Sequence, residues 1–133
     1  MKCPRPALSD LIDEVISRPF EWLARGPKKF YCLGLWLYLL EGSQGIRIED
    51  PWEHPNIHVL RDFWMLFDSI PPSQATRPLD LLFWRWGPGQ PHVATVESDR
   101  WVVSVEKGLG VTREKSNEAI ARAEAGYRLK VLA

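Results

Sequence analysis

GPKKFYCLGLWLYLL, residues 26–40, is the stretch from which the rest of the chain is read. Gly26-Pro27 marks a turn and Lys28-Lys29 a wet surface, after which almost every residue is apolar up to Leu40. The spacing predicts a helix from about Cys32 to Glu41, stopped by Gly42. It is apolar nearly all round, so it belongs in the interior. Cys32 stands where that helix begins. Free backbone amides and the helix dipole there favour a thiolate, and the same amides suit an oxyanion in acyl transfer. A packed cysteine between Tyr31 and Leu33 is the other reading, and position alone leaves both open.

Outward from this helix, residues 8–17 form an amphipathic helix with Leu8, Leu11, Ile12, Val15 and Ile16 on one side, ended by Pro19. A third helix is expected at about Ile57 to Phe67, packing Val59, Leu60, Phe63, Trp64 and Phe67, with Pro71-Pro72 as its breaker. The second half changes period. Leu79 to Trp86, His92 to Glu97, Trp101 to Lys107 and Leu109 to Arg113 read as strands, with turns at Gly87-Pro88-Gly89 and Ser98-Asp99-Arg100. A short helix, about Asn117 to Ala125, leads to a last strand, Tyr127 to Leu132. Helices first and strands second predict one α+β domain over residues 1–133 with an antiparallel sheet, residues 1–6 being loose.

Composition narrows the function. Seventeen basic residues balance seventeen acidic ones, which argues against a protein built to grip nucleic acid or an anionic membrane. No apolar run reaches the ~20 residues of a membrane span. The first thirty residues lack the apolar core of a signal peptide and carry Asp10, Asp13, Glu14 and Arg18. The expectation is a chain made in the cytoplasm without membrane insertion, any role outside requiring delivery by other means. Two cysteines, Cys3 and Cys32, are too few for a disulfide framework.

A nucleophilic cysteine needs a base. His54 and His58 flank Pro55, which spoils the register for a metal site with Glu53; loop histidines are the plainer account, and no metal or cofactor is expected. His92 opens a strand. With a three-residue loop at 98–100, Glu97 faces Trp101 and Ala94 faces Ser104, so His92 and Ser104 are diagonal neighbours on one face and Glu106 lies opposite His92. Ser104 and Glu106 are the candidates to orient the imidazole.

The residues RPFEWLARGPKKFYCLGL (18–35), PLDLLFWRW (78–86) with Asp80, PHVATVESDRWVVSV (91–105) and SNEAIARAEAGYRLKVL (116–132) together resemble the NlpC-type papain-like cysteine peptidases, closest to the branch of phage and phage-like tail tips. Phe20, Trp22, Gly26, Pro27, Phe30, Cys32, Gly34 and Leu35 carry the first match. The resemblance implies a papain-like fold and a peptidase or amidase acting on the peptide stems of peptidoglycan. Cys32 would be the nucleophile, His92 the base and Ser104 the orienting residue, with Phe20, Trp22 and Tyr31 on the substrate side. It implies tail hub and tip proteins as partners, and a phage-like particle as the destination. Where that family commonly has Asp before the cysteine, this chain has Tyr31; its third position, usually His, Asn or Gln, holds Ser104; and a Gly before the acidic residue is replaced by Leu79. A subunit that keeps the fold but binds without hydrolysing is the alternative, and an acyltransferase or toxin-like amidase a third.

Overall fold

The computed structural model describes residues 4–86 and 90–133, without the side chains of Trp86 and Gln90. Cys3 and the expected turn at Gly87-Pro88-Gly89 thus lie outside the described residues. Helix α1 (Leu8–Val15) buries Leu11, Ile12 and Val15. It ends two residues before the expected boundary, because Ser17 turns to φ 73° and its amide bonds to Val111 O at 2.9 Å. Helix α2 (Cys32–Gln44) starts at Cys32, as the spacing predicts, but runs through Gly42 to end at Gly45, which takes the left-handed conformation at φ 69°. Gly42 is a packing residue: a Cβ there would lie 2.8 Å from Leu11 Cδ1, so its absence lets α1 approach α2.

Helix α3 (Ile57–Trp64) is capped by Asn56, whose side chain accepts the amides of His58 and Val59 at 3.0 Å each. It stops short of the expected end. Phe67–Ile70 forms a strand instead, β1, because the chain's closing strand offers a ladder: Phe67 pairs with Leu129 and Ile70 with Gly126. Phe63 and Phe67 are buried, whereas Val59 is 38% exposed.

The remaining elements are β2 (Leu81–Trp86), β3 (Gln90–Val96), β4 (Trp101–Glu106), β5 (Gly110–Lys115), α4 (Ser116–Arg122) and β6 (Ala125–Leu129). The six strands form one antiparallel sheet in the order β1-β6-β2-β3-β4-β5. The α+β class holds. The free edge of β5 is covered by the segment after α1, since Val111 N also bonds to Arg18 O at 2.9 Å.

Strand alternation sorts the sheet's side chains onto two faces. Leu81, Val93, Val103, Val105, Val111 and Leu129 share a core with α1 and α2. Leu82, Trp84, Ala94, Val96 and Val102 form a second cluster with Ala75 and with Ala119 of α4. Trp36 ties α2 to the sheet: it is fully buried and its indole N–H donates to Leu79 O at 2.9 Å. Leu79 itself sits at φ 72°, a conformation costly for a leucine. It is held there by Leu79 N to Val96 O and Val96 N to Asp80 O, both 2.8 Å. Asp80, 2% exposed, accepts a bidentate Arg128 at 3.0 and 2.8 Å and the Arg77 amide at 3.1 Å.

Candidate active site

The loop before α2 folds back on itself. Phe30 N bonds to Pro19 O, Glu21 N to Phe30 O and Tyr31 N to Ala24 O, each at 3.0 Å. This draws the Ala24 carbonyl against the first turn of α2. Only glycine fits beneath it: a Cβ on Gly34 would lie 2.1 Å from Ala24 O. The Gly34 of the Cys-Leu-Gly-Leu run is therefore what lets Phe20 and Trp22 stand beside the cysteine. Trp22 remains 62% exposed and meets the Tyr31 ring edge-on at 5.1 Å.

Cys32 occupies the first position of α2, half-buried. Burial pushes its thiol above the ordinary cysteine value, while the amides of Val93, Leu33 and Cys32 itself pull the other way and Asp50 adds to the rise. Tyr31, just before it, donates its hydroxyl to Asp50 Oδ2. Burial, and then that carboxylate, push the phenol far above its usual range. Asp50 is buried too, its other oxygen accepting the Trp52 amide at 2.9 Å. Nothing in the sequence pattern singled out Asp50, which reaches the site only because the loop after α2 returns past Tyr31.

His92 lies in β3 directly across from Trp84, and their rings are 4.8 Å apart. It therefore shares the sheet face of Leu82, Ala94 and Val96, whereas its neighbour Val93 packs on the α2 face. Burial, and then the charge of Arg122, lower its pKa to about 4, so the ring is neutral at pH 7. The hairpin register is the one the three-residue loop predicts: Thr95 pairs with Val103 and Val96 with Val102. Among the described residues the β3–β4 ladder stops there, and the strands part toward His92.

A cavity of about 520 Å³ opens at this point, lined by Phe20, Trp22, Tyr31, Cys32, Pro91, His92, Val105, Glu106 and Lys107. The structure thus brings five of the six sequence-derived site residues to one cavity. Ser104 is not among the residues that line it; buried at 2% exposure, it pairs with Thr112 of β5. Glu106, its alternative, does line it, and Lys107 beside it places its ammonium 5.5 Å from the Phe20 ring centroid. His54 and His58 are exposed, one in the loop before α3 and one in its first turn. No helix is long and apolar enough to cross a membrane among the described residues.

No family model matches the chain. No curated protein matches it by sequence. Solved structures do match. The NlpC/p60 domain of the peptidoglycan hydrolase SagA superposes with a TM-score of 0.63 at 21% identity, over 92% of this chain and 96% of that domain. NlpC2 from Trichomonas vaginalis gives a TM-score of 0.67 at 15% identity over 97% of this chain and 49% of that one. An NlpC/p60 family protein from Bacillus cereus gives 0.57 at 22% identity over 95% and 41%. This chain spans less than half the length of the last two. The fold is that of NlpC/p60 domains.

Proposed function

We propose that this protein hydrolyses amide bonds in the peptide stems of peptidoglycan, with Cys32 as nucleophile and His92 as base. The observation that carries the reading is that Cys32, at a helix start, and His92, within β3, line one cavity on a fold shared with a peptidoglycan hydrolase domain. At rest both groups are neutral, the thiol held high and the imidazole low. Proton transfer then accompanies attack instead of preceding it. The sulfur adds to the carbonyl as its proton passes to His92, and the amides of Cys32 and Leu33 face the developing negative charge. The tetrahedral adduct collapses, His92 returns the proton to the departing amine, and water releases the acyl group from sulfur by the same route. Phe20, Trp22 and Tyr31 form the wall for the stem, and Glu106 is the cavity's carboxylate available to orient the imidazole. A tail-tip setting in a phage-like particle belongs to this proposal and rests on the sequence resemblance.

A second reading, a subunit that binds wall peptides without cutting them, is favoured by one observation: the His92 ring leans on Trp84, on the sheet face away from α2. Incubation with purified sacculi, followed by mass analysis of released fragments and of bound protein, separates the two. Fragments released by the wild type and lost in Cys32→Ala support hydrolysis. Wild-type protein that pellets with sacculi and releases nothing overturns it in favour of binding.

A further inference from the structure

The α4 side of the sheet carries an arrangement that the cavity alone does not require. Arg122, at the end of α4, holds its guanidinium 4.8 Å above the Trp84 ring. Glu114 of β5 fixes it there through an Arg122 Nη2 to Oε1 bond of 2.5 Å. Trp84, 2% exposed, in turn lies 4.8 Å from the His92 ring at 47°. Guanidinium, indole and imidazole thus follow one another across β5, α4, β2 and β3, and every ring in the series is buried. Stacking of this kind fixes orientation, and a planar guanidinium suits it in a way an ammonium does not.

We propose that Arg122, clamped by Glu114 and seated on Trp84, is a positioning residue for His92: it holds the imidazole in one pose and places a positive charge near it. This rests on the reading of His92 as the base. Among the described residues, Glu106 on β4, Lys107 in the following turn, and Cys32 and Tyr31 at the start of α2 share the cavity with His92, and Arg122, paired with Glu114, acts on it from α4. Glu106 and Glu118 also act on Arg122, and both keep it charged. Burial is the larger reason the ring stays neutral, and the charge of Arg122 adds to it. Removing that charge lets the ring take a proton at higher pH.

The test is an NMR titration of the His92 ring in the wild type, Arg122→Gln and Arg122→Lys, paired with stem-fragment release from sacculi between pH 4 and pH 8. The expected result is an upward move of the His92 midpoint by about one unit in Arg122→Gln. In Arg122→Lys, which keeps the charge, the midpoint returns most of the way. Release by Arg122→Gln falls about three-fold further behind wild type at pH 4.5 than at pH 8, because the variant's ring is then mostly protonated. Arg122→Met, which keeps an aliphatic stem over Trp84, replaces the glutamine variant if that one does not fold. A midpoint unmoved in Arg122→Gln, or moved equally in Arg122→Lys, overturns the proposal. Absence of fragments from the wild type at every pH overturns the hydrolase reading instead, and the titration is read independently of it.

Discussion

Gly34→Ala sets two local rules against each other. In an ordinary helix the change stabilises by about 1 kcal/mol, because alanine is the better helix former. Here the new methyl would sit 2.1 Å from Ala24 O and 2.8 Å from Tyr31 Cδ1, and the first of these is backbone. The loop must retreat by roughly an ångström, and overpacking of this kind costs about 1–3 kcal/mol. The retreat also stretches the Tyr31 N to Ala24 O bond, now 3.0 Å, for about 1 kcal/mol more. The net expectation is a loss of about 2 kcal/mol, which in a domain of this size lowers the Tm by roughly 8 °C. Urea unfolding with a calorimetric Tm measures it. Gly42→Ala is the control, since its methyl meets only the tip of Leu11; it should change stability by less than about 1 kcal/mol. A Gly34→Ala protein as stable as the wild type refutes the reasoning, because the loop bearing Phe20 and Trp22 would then not be seated on α2.

Other outcomes follow from the same geometry. His92 has a folded-state pKa of about 4, against about 6.5 when unfolded. The unfolded chain therefore binds its proton first as pH falls; this contribution to stability is intact above pH 6.5 and drains away, by up to about 3 kcal/mol, toward pH 4. Denaturation midpoints at pH 7.5 and pH 5 should show the drop, and His92→Gln should flatten it; an equal slope in both proteins counts against a buried neutral ring. Asp80→Ala strands Arg128 and removes the acceptor of the Arg77 amide, so a loss of about 3 kcal/mol in urea unfolding is expected, and a loss under about 1 kcal/mol would mean the pair is not structural. Thr95→Val should be neutral or stabilise by up to about 1 kcal/mol, since Thr95 Oγ1 is buried and meets no partner among the described residues; clear destabilisation in the same assay would reveal an engaged hydroxyl.

The parts of this molecule that could be read in advance are those governed by neighbours in sequence. The start of α2 at Cys32 follows from apolar spacing behind a turn, and the β3–β4 register follows from a three-residue loop. Parity then put His92, Ser104 and Glu106 on one face. What could not be read depends on contacts far along the chain. Gly42 looked like a stop, and only the approach of Leu11 makes it a packing residue. Phe67–Ile70 looked like the end of a helix, and only β6, some sixty residues later, makes it a strand. Leu79 stands where a glycine would be easier, and its φ of 72° is held by Trp36, Val96 and the Asp80–Arg128 pair. At the site, Asp50 and Arg122 cannot be found from sequence, because no local pattern marks a loop carboxylate or a helix-end arginine as a neighbour of Tyr31 or His92. The resemblance implies Ser104 as the orienting residue and the register places Glu106 opposite His92; of the two, Glu106 lines the cavity.

The parting of β3 and β4 has a consequence for how mutation can touch the site. It lets the Val93 amide act on the Cys32 sulfur alongside the amides of Cys32 and Leu33. All three donors are main chain. Ordinary side-chain replacements at those positions leave each N–H in place, so the sulfur's polar surroundings are robust to sequence drift as long as the fold survives. Proline alone deletes such a donor outright. The thiol's acidity can be tuned by a side chain such as Asp50, but the polarity beneath it is inherited with the backbone.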